Sequence, residues 1–119
     1  MIYGQTDEQL MIADTVRSFV EKEIYPHEEL VERTGEVPAE IAQEIKQKTL
    51  DLGFYACNFP ESVGCAGLNH VEFALVEREL GRGSMALNHF FGRPQNILMA
   101  CEGEQIERYL MPAVRGSRM

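Results

Sequence analysis

The chain has 119 residues, of which 45% are hydrophobic and 25% are charged, and its formal net charge is −8. This composition predicts one globular domain, because disordered and low-complexity chains have too few apolar side chains to build a core. The acidic balance argues against a surface for nucleic acid or an anionic membrane, and no apolar run reaches the roughly 20 residues that span a bilayer.

The N-terminal residues lack the basic and apolar stretches of a signal peptide and are too acidic for a transit peptide. We therefore expect a cytoplasmic protein of bacterial type. The charge is unevenly spread, since residues 1–62 hold 13 acidic and 5 basic side chains, whereas residues 63–119 hold 6 of each. The first half carries the whole net charge and is expected to face solvent.

Two helices are predicted in the acidic half. Residues 6–9 read Thr-Asp-Glu-Gln, the form of a capping box, and apolar residues at helical spacing follow, which predicts a helix over residues 7–24. Pro26 is expected to end or kink this helix. Pro38 suits the first turn of a second helix, which stops at Gly53.

The second half is predicted to be helical as well, after a long loop over residues 54–68 that has no helical period. Asn69 is a plausible N-cap for a helix that runs to Gly81 and is apolar on more than one stripe, which suggests burial on several sides. Three shorter helices are expected at residues 84–91, 94–100 and 105–111, the last stopped by Pro112. The fold class is therefore all-α, an up-down bundle of five or six short helices in one domain.

Two windows of nineteen residues hold a single charged residue each, Glu61 within residues 53–71 and Arg93 within residues 83–101. Charged side chains usually cover the solvent-facing surface of a domain. Such windows therefore indicate surface that is buried or covered by a partner.

Several patterns that resemble motifs lack the context that their chemistry needs. Residues 81–86 match G-x-G-x-x-A, but a helix rather than a strand precedes them, so Gly81 is interpreted as a helix C-cap. Cys57, Cys65 and Cys101 form no C-x-x-C pair, and no two histidines have the spacing of metal ligands. We expect reduced thiols, no metal site and no catalytic residue in this chain.

The apolar stretch over residues 85–91 has two interpretations that the sequence leaves open. It can pack in the core, or it can form the wall of an apolar ligand pocket, which needs aromatic and aliphatic side chains with a few polar groups.

The order of several segments resembles a known family. The chain has a Thr-Asp-Glu-Gln-Leu helix start, Pro-Glu-Ser-Val-Gly-Cys-Ala-Gly-Leu at residues 60–68, Glu-Leu-Gly-Arg at 79–82, and Glu-Gln-Ile-Glu-Arg-Tyr-Leu-Met-Pro at 104–112. In composition and order these segments resemble the N-terminal α-helical domain of the flavin-dependent acyl-CoA dehydrogenases. The family usually has a second glycine where Cys65 stands, and a cysteine tolerates positive φ poorly, so the sequence leaves the local loop geometry open there.

The resemblance implies α,β-dehydrogenation of an acyl-CoA with FAD as the cofactor, electron transfer to an electron-transfer flavoprotein, and assembly into a homo-oligomer. It implies that residues 1–119 are the first of three domains. The flavin-binding β domain and the C-terminal helical domain, which carries the catalytic base, would then lie outside these residues. The resemblance therefore also implies that this chain alone is inactive. By order along the chain, the resemblance makes His89, Phe90 and Phe91 the candidates for the wall of the acyl pocket.

The alternative is a protein of a different class, a stand-alone helical module for protein–protein interaction without catalytic activity. In that case the two low-charge windows would form the surface that binds a partner.

Overall fold

The computed structural model describes residues 5–116, and every regular element in that range is helical. The all-α prediction is therefore confirmed. The α-helices are α1 (Asp7–Phe19), α2 (Tyr25–Thr34), α3 (Ala39–Leu52), α4 (His70–Leu80), α5 (Met85–Asn88) and α6 (Met111–Val114). Short 3₁₀ segments lie at Glu61–Val63, His89–Phe91 and Asn96–Ala100.

Reciprocal hydrogen bonds fix the starts of α1 and α4. The Thr6 hydroxyl accepts from the Gln9 backbone N–H at 3.1 Å, and the Gln9 side chain accepts from the Thr6 backbone N–H at 3.1 Å. Asn69 and Glu72 make the same pair of bonds before α4, at 2.9 and 3.1 Å. Both N-cap predictions are confirmed, because each box pairs backbone N–H groups that a helix start leaves free.

Two prolines lie inside helical segments. Val20–Ile24 is a π-helical turn that joins α1 to α2, and Pro26 lies in the first turn of α2. Ile106–Leu110 is a second π-helical turn, and Pro112 lies in the first turn of α6. In both turns the residue before the proline donates its N–H to the carbonyl five residues back. The prediction that Pro112 stops the last helix is wrong. The π-helical turn is wider than an α turn and accommodates the proline ring, which has no N–H to donate.

The main core lies where α1 packs along α4. The residues of α1 and α4 with no exposed surface are Val16, Val76 and Leu80, and Val20 in the following π turn joins the same core. Phe91 joins the core from the 3₁₀ segment that packs on α3, and its ring meets Phe19 edge-on with centroids 5.4 Å apart. One side of α4 is exposed, with Val71 at 58%, whereas its buried residues are Leu75, Val76, Glu79 and Leu80.

The segment between α3 and α4 is the predicted long loop, and it is docked on the rest of the domain. The Ala56 N–H donates to the Gly92 carbonyl at 2.9 Å, and the Leu68 N–H donates to the Cys57 carbonyl at 2.9 Å. Ala56 and Cys57 are buried. The low-charge window over residues 53–71 therefore contributes in part to the interior.

Positive φ angles fall on the glycines around Cys65 and not on Cys65. Gly64 has a φ of 86° and Gly67 a φ of 66°, and within residues 5–116 Ala56 is the one non-glycine residue with positive φ, at 53°. The backbone conformation of Cys65 therefore does not require glycine.

The domain is a thin slab with principal extents of 45 × 42 × 21 Å. Its radius of gyration is 15.1 Å, whereas a compact chain of this length has about 13.5 Å. Met85 and Ile97, both in the second low-charge window, are 83% and 77% exposed. Between residues 5 and 116 no helix has the length and hydropathy to cross a membrane.

Candidate functional site

A cavity of about 620 Å³ opens between the docked loop, α4, the segment after α5, and α6. Its volume is within the range of about 300–1,000 Å³ that is usual for small-molecule sites. Ring side chains in its wall are those of Tyr55, Phe73 and His89, and polar side chains are those of Asn58, Glu77, Arg93, Gln95 and Asn96.

The structure brings one of the three sequence-predicted wall residues to this cavity. His89 is exposed and lines it, and the His89 ring meets the half-buried Phe90 ring edge-on at 5.4 Å. Phe91 has no exposed surface and packs in the core against Phe19 and Phe54. Because residues 89–91 form a 3₁₀ segment with three residues per turn, their side chains point in three different directions. Their role in an acyl pocket stays a prediction.

A polar network ties the cavity wall to the end of α4. The Arg93 guanidinium donates to the Glu77 carboxylate and, at 3.4 Å, to the Asn88 side-chain oxygen. The buried Asn88 amide in turn donates to the Leu80 carbonyl at 2.8 Å. This carbonyl belongs to the last turn of α4, where the helix offers no further N–H donor. The network therefore holds the segment after α5 against α4.

The opposite side of the cavity carries two amides and a tyrosine. The Asn58 amide nitrogen donates to the Asn96 side-chain oxygen at 2.8 Å. The Asn58 side-chain oxygen is buried and accepts no hydrogen bond from the part of the chain that the structure describes. Burial raises the pKa of the Tyr55 phenol above its ordinary value.

Glu79 is a fully buried carboxylate, which the sequence marked only as part of the Glu-Leu-Gly-Arg segment. Arg17 of α1 donates to both of its oxygens, at 3.2 and 3.4 Å, and Arg78 and Arg82 donate as well. Burial raises the pKa of Glu79, but the hydrogen bonds from Arg17 and Arg82 outweigh it, and the pKa lies below its ordinary value. This cluster joins α1 to α4 and lines neither described cavity.

A second cavity of about 600 Å³ is a groove between α1 and α3. Phe19 and Leu52 contribute apolar walls, and Lys48 lies at its side, paired with Glu23 and Glu44. Hydrogen bonds to these two carboxylates raise the pKa of Lys48. This groove is more open to solvent than the first cavity, and none of the sequence-predicted wall residues lines it.

The motif-like patterns have structural explanations. A Cβ atom on Gly83 would lie 2.7 Å from an Ile24 side-chain carbon, so the glycine lets α5 start close to the first π turn. Burial raises the pKa of the Cys57 thiol to about 12, which makes it a poor nucleophile. The described residues contain no group of three or more His, Cys, Asp or Glu side chains that could hold a metal ion.

The geometry defines the class of the protein as a flattened all-α domain with an open cavity of mixed aromatic and polar lining. The chain belongs to the family described as acyl-CoA dehydrogenase, N-terminal domain, which matches residues 6–117. The resemblance inferred from the sequence is confirmed. No solved structure matches the chain.

Three relatives illustrate this membership. The chain is 33% identical to benzylmalonyl-CoA dehydrogenase of Aromatoleum aromaticum, in a match that covers 100% of this chain and 32% of the relative. It is 30% identical to a caffeyl-CoA reductase–Etf complex subunit of Acetobacterium woodii, over 95% of this chain and 30% of the relative. It is 34% identical to the mitochondrial short-chain specific acyl-CoA dehydrogenase of Bos taurus, over 92% of this chain and 27% of the relative. The chain therefore spans about a third of the length of these relatives.

Proposed function

We propose that this chain is the N-terminal helical domain of a FAD-dependent acyl-CoA dehydrogenase, which removes hydrogen from the α and β carbons of an acyl-CoA thioester. The observation that carries the proposal is the family match over residues 6–117. Two of the relatives are named as dehydrogenases of CoA thioesters, which supports the same reaction class. The flavin-binding β domain and the C-terminal helical domain are proposed to lie outside residues 1–119.

In this proposal the chain binds and encloses the acyl group. His89 contributes to the wall of the 620 Å³ cavity directly, Phe90 supports the His89 ring, and Phe91 anchors the same turn in the core. A wall of this kind orients the acyl chain and excludes water from the reacting carbons. No catalytic residue is assigned within this chain.

The residues of this chain do not fit FAD on their own. Residues 81–86 match a dinucleotide fingerprint, but they join α4 to α5, and no strand exists in the part of the chain that the structure describes. That fingerprint needs a strand before the turn and a helix of useful length after it, whereas α5 has 4 residues. FAD is proposed to be held by domains that lie outside residues 1–119, and no reaction step is assigned to it.

The proposal extends to the partners of the complete enzyme. Electron-transfer flavoprotein is the proposed electron acceptor, and the relative named as a subunit of an Etf complex supports this. A homo-oligomer is proposed from the family resemblance, and a cytoplasmic location stays a prediction from the sequence.

The test is a chimera in which residues 1–119 replace the matching region of the bovine short-chain relative. We expect a flavin-coloured protein that oxidises an acyl-CoA with an artificial electron acceptor, whereas the 119-residue chain alone shows no turnover. The unmodified relative is the positive control. A chimera that folds and holds FAD but oxidises no acyl-CoA would contradict the proposal, as would robust turnover by the chain alone.

A stand-alone interaction module is the second candidate, favoured by the exposure of Met85 and Ile97 at 83% and 77%. Under both candidate functions, we expect the isolated chain to self-associate or to bind hydrophobic dyes. We expect the double variant Met85→Ser/Ile97→Ser to lose this self-association or dye binding. Light scattering and dye fluorescence measure these effects. Turnover by the chimera is what separates the enzyme domain from the module.

A further inference from the structure

The His89 cavity has a buried floor and an exposed rim. Among the described residues that line it, Tyr55 and Ala113 are 5% and 6% exposed, whereas the side chains of His89, Gln95 and Asn96 are exposed. Solvent reaches the mouth of a cavity more readily than its base. Tyr55 and Ala113 therefore form the floor, and an occupant that enters past the exposed residues ends against them.

The polarity of the wall changes from the floor to the rim. Half-buried apolar residues continue the floor upward, and these are Phe73, Pro94 and Leu98. The rim adds the side-chain amides of Gln95 and Asn96. An occupant with an apolar tail and a polar head fits this order, because the tail leaves water while the head keeps its hydrogen-bond partners. An acyl thioester that enters tail first has this form.

The half-buried polar side chains of the wall have partners within the protein. Arg93 donates to Glu77 and to Asn88, and the Asn58 amide nitrogen donates to Asn96. These hydrogen bonds hold neighbouring segments together. The apolar floor, rather than this polar part of the wall, is therefore what the end of an apolar tail meets.

The Tyr55 ring is fixed in its place on the floor. A Cβ atom on Gly92 would overlap three atoms of this ring, so the ring lies directly against the Gly92 backbone. The Ala56 N–H donates to the Gly92 carbonyl at 2.9 Å, which joins the two segments. Tyr55 also packs in one apolar cluster with Leu110 and Val114. Moving the ring would open these close-packed contacts.

We propose that Tyr55, together with the small Ala113 beside the cavity, determines the longest acyl tail that the cavity accepts, a specificity-determining role that rests on the proposed function. Each methylene group that enters the cavity loses its contact with water and strengthens binding. Once the tail meets the fixed ring, further methylene groups must stay in water or displace packed side chains, and the gain stops.

The experiment is an NMR titration of the 119-residue chain with N-acetylcysteamine thioesters, which carry an acyl group without the CoA moiety. The probes are the butanoyl, hexanoyl, octanoyl and decanoyl thioesters. We expect saturable shifts of the Tyr55, Phe73 and Ala113 signals. The affinity should rise by up to about fifteenfold for every two methylene groups and then stop rising at one length within the series.

Two variants should move this limiting length in opposite directions. Tyr55→Leu deepens the floor and should raise the limit by about two carbons, whereas Ala113→Leu fills part of the floor and should lower it by about two carbons. Tyr55→Phe keeps the ring and should keep the limit, as should the control Gln43→Ala on the exposed face of α3. A loss of structure alone would weaken all four probes together and would leave the limit in place. Either leucine variant tests the proposal where the other fails to fold.

The proposal is overturned by a limiting length that neither leucine variant changes, by affinity that rises through decanoyl in the wild-type chain, or by no saturable shift of the cavity signals. These outcomes are independent of the chimera assay. An active chimera with an unchanged limit in both leucine variants leaves the enzyme function standing and removes this inference. A limit that moves as expected, with an inactive chimera, supports the inference and contradicts the proposed reaction.

Discussion

Two glutamates of α4 show how one helix serves two different surfaces. Glu77 and Glu79 are two residues apart, which is about 200° around an α-helix, so they lie on opposite faces. The Glu79 side chain is fully buried and bound by three arginines, whereas the Glu77 side chain is 39% exposed and pairs with Arg93 at the cavity. The first face holds the fold together, and the second face lines a space that an occupant can fill.

The largest effect is expected where the cavity wall is held rigid. Gly92→Ala should lower the free energy of unfolding by about 4 kcal/mol, because the new Cβ overlaps the Tyr55 ring and the φ of 87° disfavours a side chain. Gly53→Ala is the matched control, since Gly53 has a φ of 81° with nothing within 4 Å of a Cβ atom. Urea unfolding measures both. Similar losses in the two variants would show that the ring contact does not matter.

The next largest effect is a difference in stability between substitutions on the two faces of α4. Glu79→Ala should lower the free energy of unfolding by about 3 kcal/mol, since it removes several charge-assisted hydrogen bonds from a buried site. Glu77→Ala should lower the free energy of unfolding by less than about 1 kcal/mol, because the ion pair of Glu77 with Arg93 is partly exposed. Equal losses of unfolding free energy in chemical denaturation would refute the distinction between the two faces of α4.

The pH dependence of stability should carry a component from Glu79. Burial raises the pKa of Glu79, but the hydrogen bonds from the arginines lower it by a larger amount. The pKa of Glu79 in the folded chain is therefore below its value in the unfolded chain. Such a group contributes stability that is complete above the unfolded pKa and is lost as the pH falls through the folded pKa. We expect the wild-type chain to lose more stability than Glu79→Gln between about pH 5 and pH 3. Parallel curves of melting temperature against pH would contradict this.

The smallest effect is expected at Arg93. Arg93→Ala should change the free energy of unfolding by less than about 1 kcal/mol, like Arg33→Ala in the exposed pair with Glu29. Unlike the control, it should shift the NMR signals of Asn88 and His89, since Arg93 donates to Asn88 in the cavity wall. Unchanged NMR signals of Asn88 and His89 would show that the hydrogen bonds of Arg93 do not order the cavity wall.

Features that depend on neighbouring residues were predictable from the sequence. The capping boxes at Thr6 and Asn69 each close within three residues, and the structure has both. The long loop before α4 was predictable too, because its Pro and Gly residues interrupt any helical period. Family membership followed from the order of short segments, which does not require knowledge of distant contacts.

Features that depend on distant residues were not predictable. Arg17 and Glu79 are 62 positions apart, and no local pattern connects them. The cavity is built from four segments, so His89 could be named from its place in the chain while Asn58, in a separate segment, could not. The helical path through Pro112 could not be predicted, because no sequence rule indicates the π-helical turn that accommodates this proline.

The π-helical turn at Val20–Ile24 also sets the rotational phase of α2. A π turn holds one residue more than an α turn, and each residue of an α-helix turns the chain by about 100°. An α-helical path through the same residues would rotate α2 by that angle relative to α1, and Val31, which is 8% exposed, would then leave the core. Deleting the exposed Lys22 would instead leave an α turn and keep the phase of α2. The π turn therefore lets the chain hold one extra residue between α1 and α2 while Val31 stays in the core.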